Sequence, residues 1–534
     1  MTLARLSTRW RSLLSSPQGP RTNALFMASG TLVSRLTGVI RIIALAYALG
    51  LHVGDAYNLA NNTPNTLYDL LLGGVLASTI VPVFSSRLVS EIATRAWRSI
   101  SSIVTIATLF LLVMTIIFEL ASPLIIHAYS IGATGQRSQL TVELSIDLLR
   151  LFAPQLFFYG VISLFSAVLY SQHHFVAPSY TPIVNNVTSI LVLVVFSTLY
   201  QHPTVASVLA NHGALLLLGI GTSAGVALQA LLLIPSLLRH APQLRVRLHF
   251  RDPAIREIYR LSGWTFGYVL ANQIALFVVT AVAFSYSGYV TAYNYAYLFF
   301  QLPYAIVSLS IMSAIQPQLA SLWALDRRRE FADKLSSSLQ ASVTITLPFA
   351  VLYVIGASLA TRAILLHGAM SAQGSTLTAQ ALVGFALGLP GFAAFLSINQ
   401  ALQSTRQARS VFVLYALENS LNIVLALVLV HGLGIFGLAL SFSIAYSASA
   451  VVGLMELRRQ GIHLGLRRMG RSWTNSLVAS LAAGLFAYPA VSASRGHSGL
   501  VLFGFGSIAA IAAALGFFAV TAVGSRFKSQ RREN

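Results

Sequence analysis

The sequence predicts an all-α polytopic membrane protein of about 14 transmembrane helices, arranged as two parallel six-helix lobes around a central cavity plus two extra C-terminal helices. Three observations predict it. Of 534 residues, 56% are hydrophobic and only 9% charged, against about 25% charged in a typical soluble domain. Apolar runs of 18 or more residues recur from about residue 23 to residue 524, and a helix needs about 20 such residues to cross hydrocarbon. Lys and Arg fall almost entirely in alternate gaps between those runs. This composition excludes an ordinary soluble globule and a disordered chain. The runs do not alternate with period two, which argues against a β-barrel. There are no cysteines, so disulfides, Cys-ligated zinc and iron–sulfur clusters are excluded.

Residues 1–22 are basic and polar and are not a secretory signal, because the apolar run that follows is too long and lacks a small-residue cleavage site. Span 1 (23–50) carries Arg35 and Arg41. An arginine at a lipid-facing helix centre costs about 2.5–3.5 kcal/mol on insertion scales, so both must face protein or a wet cavity. Six positions apart, they stand about 9 Å apart along the axis and about 120° around it, with Gly38 between them to allow a bend. Two readings stand: an anion site, since guanidinium forks suit phosphate and carboxylate, or a pair of internal salt bridges. Span 2 (57–86) places Asp69 at the depth of Arg41, either as a pair that holds one conformation or as simple charge neutralisation. Span 3 (99–125) ends near an interfacial Glu119. In span 4 (141–170), Asp147 and Arg150 at i and i+3 read as a local ion pair. Span 5 (175–199) holds Asn186, and span 6 (211–237) closes the first lobe.

The second set of spans lies at 259–286, 289–322, 335–365, 375–403, 410–430 and 433–455. Glu418 precedes Asn422 by one helical turn in span 11. Two oxygen donors at that spacing suit a small cation; a buried polar contact between helices is the other reading. Spans 13 (472–493) and 14 (498–524) complete the set. Gly38, Pro64, Gly73, Gly74, Pro154, Pro303 and Pro390 read as kink or conformational positions inside spans.

An internal repeat organises these spans. Ala56-Tyr57-Asn58 recurs as Ala292-Tyr293-Asn294, Pro154 matches Pro390 and Asn186 matches Asn422, all at an offset of 236. Each match sets span n on span n + 6, and an even number of spans gives both copies the same orientation. The expected organisation is a segment 1–22, an N-lobe 23–237, a basic linker 238–258, a C-lobe 259–455, the pair 472–524 and a tail 525–534. Of 34 Lys and Arg, 28 lie in the gap set that includes both termini, three (Arg137, Arg362, Arg495) lie in the opposite set, and Arg35, Arg41 and Arg150 lie inside spans. By the positive-inside rule both termini are cytoplasmic. The net charge of +20 is therefore a topological signal, and no nucleic-acid partner is expected.

The chain has no HExxH, Walker A, Asp-rich metal box or CxxC, its twelve histidines are scattered apart from the adjacent His173-His174, and no clustered carboxylates suggest Mg²⁺. No enzyme is expected, and no metal.

Ser34-Arg35-x-x-Gly38-x-x-Arg41, Asp55-Ala56-Tyr57, Pro64-Asn65, Gly73-Gly74-Val75-Leu76 to Val81-Pro82, Phe175-x-x-Pro178-x-x-x-Pro182 with Asn185-Asn186, and Tyr295-Ala296 to Pro303 together resemble the MurJ/MviN lipid II flippase family of the multidrug/oligosaccharidyl-lipid/polysaccharide exporter superfamily. The likeness covers most of residues 25–460. It implies fourteen helices, two lobes in a V and a cationic cavity, with Arg35, Arg41 and Asp55 among the functional residues. The arginines that better-known members carry in spans 2 and 8 are replaced by the stretches Leu67-Tyr68-Asp69-Leu70 and Tyr297-Leu298-Phe299, which resembles the actinobacterial branch. The resemblance further implies a polyprenyl-tail groove formed by spans 13 and 14, and it supports a sodium role for Glu418 and Asn422.

The expected function is a flippase that moves lipid-linked peptidoglycan precursor from the inner to the outer leaflet of the bacterial cytoplasmic membrane for cell-wall synthesis. A pyrophosphate head cannot cross hydrocarbon unaided because its charges would be desolvated. Arg35, Arg41, Asp55 and Asp69 are the expected substrate-binding residues, in a cavity between the lobes. No cofactor is expected; coupling would come from Na⁺, H⁺ or the membrane potential, worth about 2.3 kcal/mol per charge per 100 mV. Expected partners are the lipid-linked pyrophosphate, membrane lipids and other cell-wall synthesis proteins. The alternatives are an exporter of another polyprenyl-linked glycan or of an amphipathic drug, and a non-transporting wall-synthesis scaffold.

Overall fold

The computed structural model describes residues 20–73, 80–90, 92–132, 136–250, 263–497, 499 and 501–533, and no strand occurs among them. Continuous apolar sequence leaves the backbone no partner but itself in hydrocarbon, so helices are the available solution. The helix Ala93–Leu120 shows the consequence: Leu109, Leu112, Val113, Ile116, Ile117 and Leu120 are 44–78% exposed along successive turns, an apolar face suited to lipid.

Among the described residues, nine helices are long and apolar enough to cross a membrane, ten if the pair Ala372–Ala386 and Leu389–Ser404, bent by 52°, counts as one span. The difference from fourteen has identifiable causes. Spans 2 and 8 are interrupted by π-helical turns, Asp69–Gly73 after the helix His52–Tyr68, and Tyr304–Ser308 after the helix Tyr289–Pro303. Spans 11 and 12 run together as Ala408–Arg459, but Gly434 takes φ 58° and ψ −140°, a conformation glycine alone adopts without strain, so two helices meet there. The described apolar part of the last helix is Val501–Phe517.

The repeat is visible in these irregularities. The two π turns begin at Asp69 and Tyr304, within one residue of the 236 offset. Pro154 opens the helix Pro154–Ser171, and Pro390 stands in the first turn of Leu389–Ser404, where the missing N–H leaves no bond unmade. Pro303 ends its helix where the π turn begins, and Gly73 lies in the other π turn. Gly38 and Pro64 lie inside the continuous helices Pro20–Leu49 and His52–Tyr68. A single missing donor at Pro64 does not end a helix whose other bonds are made. Gly74, residues 1–19 of the N-terminal segment and residues 251–258 of the linker lie outside the described residues.

The chain packs as two compact units. One comprises Met1–Ala48, Leu59–His127 and Leu140–Val269; the other comprises Leu49–Asn58, Ala128–Gln139 and Leu270–Asn534. These divisions depart from the boundaries at 237 and 259 because the short segments around residues 49–58 and 128–139 are bonded to later helices. Tyr129 packs against Phe277 with the rings tilted by 39° and their centroids 4.4 Å apart, for example. In the first unit the helix Pro154–Ser171 packs against Ala93–Leu120, Val81–Ser90 and His212–Leu231, around a core that includes Phe84, Trp97, Ile100, Leu164 and Val168. In the second, the helix Arg328–Leu365 packs against Leu466–Ala493, which packs in turn against Val501–Glu533. Small residues such as Ala483, Ala487, Ala509 and Ala513 let those helices approach closely.

Candidate functional site

In the first unit, the helix Pro20–Leu49 carries Arg35 and Arg41. Arg35 is exposed and Arg41 half-buried. The Nε of Arg41 is buried and has no hydrogen-bond partner among the described residues. Between the two arginines the backbone is held from a second helix, Val176–Leu199. Asn186, 8% exposed, donates from Nδ2 to the Ser34 carbonyl at 3.0 Å and to Thr37 Oγ1 at 2.9 Å. Its amide also lies 3.8 Å from where a Cβ on Gly38 would stand. A Cβ at that distance would meet only ordinary van der Waals contact, so Asn186 does not by itself require a glycine at position 38. A turn and a half further toward the helix start, Ser29 Oγ and Tyr180 Oη are 2.8 Å apart, joining the same two helices.

Asp69 is not paired with Arg41: no ion pair between them occurs among the described residues, and Asp69 is the first residue of the π turn. Asp147 and Arg150 do approach, at 4.0 Å, with both side chains about half exposed; such a pair contributes little.

A polar network unanticipated from sequence lies nearby in the same unit. Gln155 is fully buried, donates from Nε2 to Ser223 Oγ at 3.2 Å and reaches Asn61 Oδ1 at 3.5 Å, while Tyr159 donates to Gln155 Oε1 at 3.3 Å. The only sequence signal was a glutamine directly after Pro154.

In the second unit Asp55 is 4% exposed. Its two carboxylate oxygens accept from the backbone N–H groups of Gly288 and Thr291, the latter at 2.8 Å. These belong to the start of the helix Tyr289–Pro303, whose own N-cap, Gly288, offers no side chain. A carboxylate at a helix N-terminus satisfies orphan donors and complements the dipole. Asp55 is therefore a helix cap in this conformation, with its oxygens occupied. Thr291 Oγ1 in turn donates to the Leu51 carbonyl at 3.1 Å, and Ser287 Oγ and His52 Nδ1 are 2.9 Å apart.

Glu418 and Asn422 are both buried, 1% and 7% exposed. Asn422 Oδ1 accepts from Ser441 Oγ at 2.9 Å, while Glu418 Oε2 has no hydrogen-bond partner among the described residues. One carboxylate and one amide oxygen fall short of the about six to eight oxygens calcium takes. Among the described residues no group of three or more His, Asp or Glu is placed to hold a metal.

Comparison with known proteins follows the same lines. A family model described as "Lipid II flippase MurJ" matches residues 45–504. A protein of Rhizobium tropici named "Probable lipid II flippase MurJ" is 26% identical over 468 residues, covering 86% of this chain and 84% of that protein. "Lipid II flippase MurJ" of Thermosipho africanus is 23% identical over 438 residues, 82% and 84% of the two chains. Among solved structures, "Lipid II flippase MurJ, inward closed conformation" superposes with a TM-score of 0.77 at 20% identity, over 94% of this chain and 99% of that one. An inward-facing multidrug resistance MATE family transporter superposes at 0.67 and 14% identity, over 79% and 94%. At those identities the structures establish a shared fold.

Proposed function

Because the chain belongs to the lipid II flippase MurJ family, we propose that Arg35 and Arg41 form the anion-binding element of a lipid II flippase and that Glu418 carries the coupling ion. The chain translocates lipid II across the bacterial membrane and is not an enzyme. The finer assignments are the following. Transport runs from the inner to the outer leaflet by alternating access, with the pyrophosphate exchanging water for guanidinium donors. The observation that carries this is the buried, unpartnered Nε of Arg41 on an apolar helix. A cation held there without a carboxylate partner is costly unless it serves an anion that comes and goes. Asp55 acts by holding a helix start, and Asp69, unpaired with Arg41, moderates the local positive charge.

Glu418 takes up a proton or Na⁺, with Asn422 beside it; a buried carboxyl with one free oxygen is stable when neutralised. The membrane potential adds its share for any charge that moves. Both termini are cytoplasmic, as the distribution of 28 of 34 basic residues supports. Cysteines introduced at Ile131 and Gln243, both exposed, test that orientation: an impermeant thiol reagent should label the first alone in whole cells. Helices Leu466–Ala493 and Val501–Glu533 accommodate the polyprenyl tail. Other wall-synthesis proteins are partners through the basic loops.

The test is replacement in a strain depleted of its own flippase. Wild type should rescue growth, and Arg35→Ala and Arg41→Ala should fail while reaching the membrane at normal levels. The double variant R41A/D69N should behave as R41A does. Rescue by that double variant would mean that Arg41 serves only to neutralise Asp69, and the anion role would fall.

A further inference from the structure

We infer that a second anion site, separate from Arg35 and Arg41, lies at the turn between the helices Ala408–Arg459 and Leu466–Ala493, and that it binds the phosphate headgroup of an acidic membrane phospholipid. A cavity of about 490 Å³ opens there, lined among others by Arg458, His463, Arg467 and Arg468. That volume lies within the range of small-ligand sites, about 300–1,000 Å³. The turn is built and not merely solvated. Gly461 takes φ +78°, Gly461 N–H donates to the Arg458 carbonyl and Ile462 N–H to the Leu457 carbonyl, both at 3.0 Å. This is the paired C-terminal bonding in which a glycine reverses the chain and the next residue packs inward. Ile462 is 2% exposed and anchors the turn.

The charge at this cavity is uncompensated. Among the described residues no carboxylate makes an ion pair with Arg458, Arg467 or Arg468. The nearest acidic residue in sequence, Glu456, is engaged by Ser410 Oγ at 3.2 Å and Gln460 Nε2 at 2.8 Å. Three guanidinium groups gathered in one hollow repel one another, and an anion that enters relieves the repulsion while offering acceptors to their forks. The apolar part of the lining decides which anion. Leu454, Ile462 and Leu464 share the cavity with the arginines, and it stands where two apolar helices end. A ligand with a charged head and an apolar stem matches both surfaces. Soluble phosphate matches one.

Native mass spectrometry of the full chain, released from bilayers of mixed phosphatidylglycerol and phosphatidylcholine, tests the assignment. Wild type should retain phosphatidylglycerol preferentially. R458A/R467A/R468A should lose on the order of a hundredfold of that preference, and a control of equal charge loss, R95A/R98A/R245A, should keep it. Equal loss in the control would reduce the effect to general surface charge and overturn the site. Retention of inorganic phosphate through the same arginines, with no preference between the lipids, would overturn the lipid as ligand. Should the triple variant insert poorly, R458Q and R467Q carry the test singly, each losing about fivefold; unchanged preference in both would end the proposal.

Discussion

Asp55 accepts a hydrogen bond from the backbone N–H of Thr291, and the two residues are separated by 236 positions, the spacing at which Ala56-Tyr57-Asn58 recurs as Ala292-Tyr293-Asn294. A residue thus bonds its own counterpart in the repeat, although one is aspartate and the other threonine. The duplicated sequence has diverged at this point into a donor end and a cap. Removing the cap strands buried N–H groups. Asp55→Ala is expected to lower stability by about 1–3 kcal/mol, read as a lower thermal midpoint of the purified protein, and Asp55→Asn, which keeps one acceptor, by less. An unchanged midpoint in Asp55→Ala would show that water replaces the carboxylate at no cost.

Asn186 offers a second test, because it touches the segment between the two arginines and not the arginines themselves. Asn186→Ala removes two hydrogen bonds worth about 1 kcal/mol each. Membrane levels should change little, while lipid II translocation should fall several-fold. Asn186→Asp keeps the shape but faces the Ser34 carbonyl with an acceptor, and should be worse than alanine. Equal activity of all three proteins would leave Asn186 as packing alone.

The arginines, the repeat and the polar turn at Glu418 were legible in the sequence because a charged or polar residue in an apolar run has few neutral explanations. What could not be read was partnership. Asp69 and Arg41 were expected to lie at one depth, yet no ion pair joins them among the described residues, and the π turn that begins at Asp69 leaves no trace in hydrophobic periodicity. Asp55 entered as a substrate residue through the family resemblance alone; its bonds to Gly288 and Thr291 depend on a helix start 233 or more positions away that no local pattern reveals. Asn186 was read as a repeat marker; only the packing of Val176–Leu199 on Pro20–Leu49 shows that it bonds the segment between the two arginines. Gln155 carried no pattern at all.

Glu418→Gln is expected to keep the fold and equal or exceed wild-type thermal stability, since it removes a buried ionisable group while preserving its shape. Its translocation should lose dependence on whichever of Na⁺ or the proton gradient drives the wild type. Transport that retains the full ion dependence would leave the residue a packing contact.

A pH test concerns the turn at residues 172–175. His174 and His240 lie with ring centroids 3.5 Å apart. Partial burial first, then the charges of His240 and His173, hold His174 below the ordinary imidazole value of 6.5. A depressed imidazole favours the neutral ring in the native state, so its contribution is complete above pH 6.5 and is lost as pH falls through the depressed value. The thermal midpoint should therefore drop on acidification below that point, and His174→Gln should flatten the drop. Identical pH profiles for the two proteins would rule the pair out as the cause.

The matched π turns at Asp69–Gly73 and Tyr304–Ser308 carry a mechanical consequence. Each holds one more residue than the α turn it replaces. When such a turn migrates along its helix, the residues it passes rotate by about 100° and advance by about 1.5 Å, while both ends of the helix stay where they are. Side chains can then change the direction they face without any lateral movement of the rod that bears them. Both halves of the duplicated sequence carry such a screw thread among the described residues, each opening on a conspicuous polar side chain: Asp69 in one, and Tyr304 in the other.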